Sequence, residues 1–186
     1  MLKPVLIIVN GLPCSGKTTI ARRLAQDVRL PVFSRDGIYE TLFDALAGDG
    51  APPAAVGSAS FSLLYSIAGS ILAAGQSLIV EGFFGRPDLR TAEFAELQRR
   101  HDFEPLQILC KADGAVLLER FLARAGSAGR HTGHEDLAWL EQNRERLLSG
   151  ILLPLALGGQ VLEIDTTTPD RFDYAALLRQ VQSALL

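Results

Sequence analysis

Short runs of apolar residues alternate with longer amphipathic segments along the whole chain. The apolar runs are rich in Val, Ile and Leu and lack polar alternation, which is typical of strands buried on both faces of a parallel sheet. This pattern predicts five parallel strands at 5–9, 32–34, 77–81, 106–110 and 161–165. It also predicts helices at 17–28, 37–47, 54–74, 87–100, 114–125, 135–149 and 171–185. Capping signals precede three of these helices, at Asp113, Pro87–Asp88 and Pro169–Asp170. We therefore expect an α/β fold.

The size of the chain, 186 residues, fits a single domain spanning 1–186 with a small inserted lid. Hydrophobic residues make up 48% and charged residues 21%, so the chain can bury a core. A net charge of −3 and a pI near 5.6 disfavour binding to nucleic acid or to an anionic membrane, so we expect a small-molecule partner. The two cysteines, Cys14 and Cys110, are typical of reduced thiols and predict a cytoplasmic protein.

The segment from Gly50 to Val80 contains no charged residue and raises the question of a membrane span. Glycines and regularly spaced serines interrupt it, which disfavours insertion. The serines recur every four residues, at 58, 62, 66 and 70. On a helix they form one stripe, which either lines a cleft for a hydroxylated ligand or lets two helices approach closely.

The strongest local motif is Gly11-Leu12-Pro13-Cys14-Ser15-Gly16-Lys17-Thr18, which fits G-x-x-x-x-G-K-[ST] at every fixed position. It follows a predicted strand and opens a predicted helix, as a phosphate-binding loop requires. The glycines let backbone N–H groups point at phosphate oxygens, while Lys17 reaches the β and γ phosphates and Thr18 reaches Mg²⁺. The predicted nucleotide contacts are Gly11, Pro13, Cys14, Ser15, Gly16, Lys17, Thr18 and Thr19.

Two carboxylates follow predicted strands at the edge where open α/β folds bind their ligands. Asp36 comes after the second strand, where it either accepts a proton during phosphoryl transfer or caps the helix at 37–47. Glu81 ends the third strand after an apolar run, a pattern that suits a carboxylate that holds Mg²⁺ or orients Thr18. The sequence therefore predicts a base and a metal-supporting acid beside the phosphate-binding loop.

Three arginines lie in or beside a glycine-rich segment at about 125–135 that we expect to form a lid. They are Arg120, Arg124 and Arg130. Arginine grips phosphate oxygens through its planar fork and stays charged, although a solvated helix face is the simpler alternative. His131 and His134 lie in the same segment, but the spacing and the lack of a nearby cysteine disfavour structural zinc.

Taken together, these motifs resemble the P-loop small-molecule kinases with adenylate-kinase-like cores, an AAA-type family related to the kinase domain of polynucleotide kinase. The resemblance rests on 11–19, 34–36, 78–82, 119–131 and 162–166. It implies a three-layer P-loop NTPase fold with sheet order 2-3-1-4-5, a mobile lid, and ATP with Mg²⁺ as cofactors. In the resembling proteins the residue at Asp36 accepts the proton of the attacking hydroxyl. Those at Arg120, Arg124 and Arg130 clamp the transferring phosphate or stack on adenine.

The function we expect is ATP-dependent transfer of the γ-phosphate to a hydroxyl of a small molecule. A polynucleotide 5′-hydroxyl kinase is disfavoured by the acidic pI and by Tyr39, which stands where those enzymes carry Arg. A regulatory ATPase with no phosphorylated product has no need of a base at Asp36. Because 50–80 contains no Lys or Arg, we expect a neutral acceptor, although positive charge from neighbouring loops is the alternative, at Arg35, Arg86 and Arg90.

Overall fold

The structure is a computed structural model that describes residues 3–46, 52–168 and 171–186. Its five strands form one parallel sheet in the order β2-β3-β1-β4-β5, which confirms the sheet order predicted from the sequence. The strands are β1 (Val5–Gly11), β2 (Val32–Ser34), β3 (Leu78–Gly82), β4 (Glu104–Lys111) and β5 (Gln160–Asp165). The central strand β1 is buried along its whole length.

Helices cover both faces of the sheet and form a three-layer α/β/α fold. They are α1 (Lys17–Val28), α2 (Arg35–Leu46), α3 (Pro53–Ala73), α4 (Pro87–His101), α5 (Gly114–Ala125), α6 (Asp136–Ser149) and α7 (Tyr174–Ala184). Along β1, Val5, Ile7 and Val9 face a core shared with α1 and α7, whereas Leu6 and Ile8 face a core shared with α3 and α4. Successive side chains on a strand point to opposite faces, so both faces demand apolar residues. This explains the uninterrupted apolar runs of the sequence.

Several predicted boundaries shift in ways that local chemistry explains. α2 begins at Arg35 instead of residue 37, so Asp36 lies inside the first helical turn. α7 begins at Tyr174 instead of residue 171, because Asp173 caps it by accepting a hydrogen bond from Ala176 N. The predicted capping role of Asp113 is confirmed by its bonds from two backbone N–H groups of α5, and Pro87 opens α4 as expected. Pro169–Asp170 and residue 47 lie outside the described residues.

The long apolar helix α3 is the single described helix that meets the length and composition required of a membrane span, with a mean hydropathy of 1.5. In the fold it packs on β3 and α4, and Leu64, Ala68 and Leu72 belong to their common core. A third of its most apolar window is buried in this way. Burial therefore accounts for part of the apolar character of α3.

Candidate active site

The phosphate-binding loop connects the carboxyl end of β1 to the first turn of α1. A Cβ on Gly11 would lie 2.7 Å from the Cys110 backbone oxygen and would also overlap the Ser15 side chain, so this position requires glycine. Gly16 has a positive φ of 78°, in the left-handed region that favours glycine. No side chain within the described residues caps the N-terminus of α1. Its first N–H groups therefore remain available to phosphate oxygens.

Lys17 and Glu81 form a buried pair at the base of this loop. Their side chains are 6% and 2% exposed, and Lys17 Nζ lies 3.9 Å from Glu81 Oε1. Strand pairing places Glu81 beside Val9 on β1, which brings the carboxylate close to the loop. The second oxygen, Glu81 Oε2, is buried and has no hydrogen-bond partner in the described part of the chain. An unpartnered carboxylate oxygen beside the residue that precedes Thr18 fits a site for Mg²⁺, which prefers oxygen ligands.

Asp36 faces the same cleft as Lys17, a cavity of about 580 Å³. Its side chain is 38% exposed and lies 3.1 Å from Arg35 Nη1. Burial opposes ionisation, but the positive charges of Lys17 and Arg35 outweigh it and hold the pKa of Asp36 below its ordinary value. The carboxylate is therefore ionised at neutral pH and can accept a proton.

The segment 126–135 between α5 and α6 folds over the cleft and contacts α2. Tyr39 donates a hydrogen bond of 2.8 Å to the Gly133 carbonyl oxygen. Two further contacts are His134 with Glu40 at 2.8 Å and His131 with Asp44 at 3.1 Å. We refer to these three contacts as the α2 latch. They employ both histidines in protein contacts, and they give Tyr39 a structural part in holding the segment.

The three arginines predicted from the sequence take different places. Arg130 makes two hydrogen bonds of 2.6 Å to Asp136, and Arg124 lies 3.7 Å from the same carboxylate; both arginines line the cleft. Arg124 Nε is buried and finds no hydrogen-bond partner among the residues described. Arg120 instead donates to the carbonyl oxygens of Thr166 and Thr167, at 3.0 and 2.9 Å. It supports the loop after β5 and is not among the described residues that line the cleft.

The opposite wall of the cleft differs from the wall expected from the sequence. The serine stripe of α3 is exposed, and the hydroxyls of Ser58, Ser62 and Ser70 donate to carbonyl oxygens four residues earlier. Of the two roles that the sequence left open for this stripe, lining the cleft that contains Lys17 and Asp36 is not observed among the described residues. The cleft wall consists of the beginning of α3, several aromatic rings and a set of arginines, namely Pro53, Ala54, Gly57, Phe61, Phe83, Phe121, Trp139, Arg35, Arg86, Arg90 and Arg146.

The structure thus brings most of the predicted residues together. Pro13, Lys17, Asp36, Arg124 and Arg130 line one cleft, and Glu81 lies beneath it beside Lys17. The rest of the loop surrounds Lys17, with Thr18 and Thr19 in the first turn of α1 and Cys14 and Ser15 before it. The adjoining segments provide the cleft with arginines at Arg35, Arg86 and Arg90, the alternative to a neutral acceptor that the sequence left open. Sequence reasoning also missed Asp136, which holds Arg130 and carries no recognisable local signal.

Comparison with known proteins agrees with this site and fold. The sequence profile described as an AAA domain (AAA_33) matches residues 6–147. A solved structure from Chloroflexus aurantiacus, described as a candidate kinase, is 41% identical, covers 100% of both chains and has a TM-score of 0.88. A sugar kinase from Janibacter, solved without ligand, is 17% identical with a TM-score of 0.61 over 98% of this chain and 94% of its own; this likeness shows the fold alone.

A curated relative is the uncharacterized protein Rv2004c of Mycobacterium tuberculosis, which is 29% identical over 132 residues. The match covers 65% of this chain and 26% of that protein, so the chain spans about a quarter of the length of the curated relatives it matches. The phosphate-binding loop, the 2-3-1-4-5 sheet and these matches show that this chain belongs to the AAA domain family (AAA_33) and has the P-loop kinase fold.

Proposed function

We propose that this chain is an ATP-dependent kinase that transfers the γ-phosphate of ATP to a hydroxyl group of a small molecule. The observation that carries the proposal is that Lys17 and the ionised Asp36 line one cleft. A phosphate held by the loop and a hydroxyl oriented by Asp36 can therefore meet. The kinase descriptions of the Chloroflexus and Janibacter proteins support this direction.

The nucleotide end of the cleft uses backbone groups and one cation. The N–H groups of the loop and of the first turn of α1 bind phosphate oxygens, and Lys17 follows the charge of the γ-phosphate. Thr18 and Glu81 would hold Mg²⁺, which supplies neutralisation of the phosphate charge when bound. Arg120 shapes the loop after β5, and we place the adenine beside that loop.

The transfer step requires an oriented hydroxyl and little further chemistry from the protein. The acceptor oxygen forms a bond to the γ-phosphorus while the bond from that phosphorus to the β–γ bridging oxygen breaks and ADP leaves. Asp36 takes the hydroxyl proton. Its lowered pKa makes it a weak base, which suits a step in which the proton leaves late and orientation matters more than basicity.

The segment 126–135 is the proposed lid, and its arginines stabilise the charge in transit. Arg124 lines the cleft and lies 3.7 Å from Asp136, so its guanidinium group is able to bond a phosphoryl oxygen. Arg130 is fixed by Asp136, which orients its remaining donors toward the cleft. Such fixed donors act on developing charge without reorganising during the reaction.

The test is to incubate the protein with ATP, Mg²⁺ and pooled hydroxyl compounds and to search for a phosphorylated product by mass spectrometry. Asp36→Asn should lower the rate by about 10² to 10⁴ while nucleotide affinity is kept. Asp88→Asn is a matched control, because Asp88 is also the second residue of a helix but does not line the cleft. ADP release without any phosphorylated product would favour a regulatory ATPase, and preferential use of 5′-hydroxyl oligonucleotides would favour a polynucleotide kinase.

A further inference from the structure

Five of the six arginines that line the cleft fall into two groups on opposite sides of β1, and the sixth, Arg146, donates to the Gly85 carbonyl oxygen. Arg124 and Arg130 belong to the segments that follow β4, toward the β5 edge of the sheet. Arg35 follows β2, while Arg86 and Arg90 follow β3, on the other side of the phosphate-binding loop. The first group serves the transferring phosphate in the proposed mechanism. The second group faces the half of the cleft that is left for the acceptor.

Two members of this second group, Arg35 and Arg90, converge on one aromatic ring. The guanidinium carbon of Arg90 lies 3.3 Å from the centroid of Phe61, and that of Arg35 lies 4.9 Å from the same centroid. Arg86 precedes Arg90 by one helical turn, since Arg90 N donates to the Arg86 carbonyl oxygen at 2.9 Å. Stacking on an aromatic ring fixes the plane of a guanidinium group and leaves its N–H edge available to a ligand.

The nearby carboxylates occupy only some of the N–H donors of Arg35 and Arg90. Arg90 Nη1 lies 2.5 Å from Glu93, and Arg35 Nη1 lies 3.1 Å from Asp36. A guanidinium group carries five N–H donors, so each arginine keeps several. Arg35 Nε is buried and lacks a partner anywhere in the described ranges, and Arg86 is exposed at the start of α4. All three arginines line the cleft, so their remaining donors are placed where a ligand can meet them.

We propose that the acceptor is a small hydroxyl compound that also bears an anionic group, a carboxylate or a phosphate, bound by Arg35, Arg86 and Arg90 beside Phe61. The inference rests on the proposed kinase function and names its substrate class. The apolar residues Pro53, Ala54 and Phe61 contact the carbon skeleton, and the arginine group holds the anion. With the anion fixed at this end, the hydroxyl is directed toward Asp36 and the phosphate-binding loop.

The experiment compares matched acceptors by isothermal titration calorimetry in the presence of ADP and Mg²⁺. The probes are D-gluconate against D-glucitol and glycerate against glycerol, with glycerol 3-phosphate as the arm that separates phosphate from carboxylate recognition. We expect at least one anionic compound to bind about tenfold or more tightly than its neutral counterpart. Equal or weaker binding of the anionic member in every pair would overturn the inference.

Substitutions of single arginines test which side chains bind the anionic group. Arg90→Gln should remove the preference, with a loss of roughly 10- to 100-fold in affinity for the anionic compound and little change for the neutral one. Arg99→Gln is the matched control. Arg99 pairs with Glu96 on α4 much as Arg90 pairs with Glu93, but Arg99 is 74% exposed and lies outside the cleft. Because Arg90 is buried, Arg86→Gln provides a second variant at an exposed position. A preference that survives in both variants would show that these arginines do not bind the anion.

Phosphate transfer is measured separately on the same samples. Anion binding with no phosphorylated product would contradict the kinase proposal and leave the anion site intact. Faster phosphorylation of the neutral members would contradict the anion site and leave the kinase proposal intact. In the expected case, Arg90→Gln raises the KM of the anionic acceptor far more than it lowers kcat, as a specificity-determining residue should.

Discussion

The buried pair of Lys17 and Glu81 allows the structural and catalytic contributions of Lys17 to be measured separately. Both side chains are almost completely buried, so replacing Lys17 with Met removes the positive charge and leaves a buried carboxylate without its partner. Removing one member of a buried ion pair typically costs about 3–5 kcal/mol. At 3.9 Å the contact is long, so we expect about 3 kcal/mol of lost stability in the nucleotide-free protein.

For a chain of this size, 1 kcal/mol shifts Tm by roughly 2–4 °C, so Lys17→Met should lower Tm by roughly 6–12 °C. The assay is thermal unfolding followed by circular dichroism without ligand. Adding Glu81→Gln should restore much of the lost stability, because the double variant no longer buries an unpaired charge. Neither variant should regain turnover, since the cation that follows the γ-phosphate is gone.

The control is Lys111→Met, which removes the lysine of the exposed pair with Glu163, whose atoms lie 2.6 Å apart. Exposed pairs contribute about 0–1 kcal/mol, so this variant should melt close to the wild type despite the shorter distance. An unchanged Tm for Lys17→Met, or a double variant no more stable than the single one, would refute the coupling of the buried pair. Retained turnover in Lys17→Met would refute the assignment of the phosphate-binding loop.

The remaining predictions concern the cleft and its lid. Because neighbouring cations hold the pKa of Asp36 below its ordinary value, this base stays ionised down to low pH. The pH profile of kcat/KM should therefore show no fall on the acid side that is due to this carboxyl above about pH 5. A fall near pH 6 that Asp36→Asn abolishes would contradict this prediction. Arg124→Ala should lower kcat by about 10² with little change in ATP affinity in titrations, and an unchanged kcat would remove Arg124 from the mechanism. Tyr39→Phe deletes one latch hydrogen bond, a loss of about 1 kcal/mol that should appear as faster hydrogen exchange across 126–135; equal exchange in wild type and variant would exclude the latch role. The single tryptophan, Trp139, lines the cleft, so its fluorescence should change when ADP and an accepted acceptor bind together, and a silent signal alongside calorimetric binding would place them elsewhere.

Much of the fold was predictable because its signals are local. A strand buried on both faces must be apolar at every position, so the run at 5–9 identifies a central strand without any knowledge of its neighbours. The phosphate-binding loop is equally local, since Gly11, Gly16 and Lys17 act through the backbone and one turn of helix. Asp113 and Pro87 mark the starts of α5 and α4 for the same reason.

The cleft wall was less predictable because its contacts join distant segments. Arg90 meets Phe61 across two elements, and Tyr39 meets Gly133 across 94 residues, which no local pattern reports. The sequence left two roles open for the serine stripe of α3, because a repeat of four does not say which face turns inward. A second repeat of four on the same helix, Leu64, Ala68 and Leu72, occupies the core, and apolar burial decides between the two faces.

The α2 latch has a consequence for how binding energy is distributed. A glycine-rich loop loses a large amount of conformational entropy when it becomes ordered, and in a lid that closes only on its ligand the ligand must supply that free energy. Here Tyr39, Glu40 and Asp44 hold the segment through polar contacts with the protein itself. In its proposed role as a lid the segment 126–135 is preorganised, so a larger share of the nucleotide's interaction free energy is left to stabilise the transition state over the ground state.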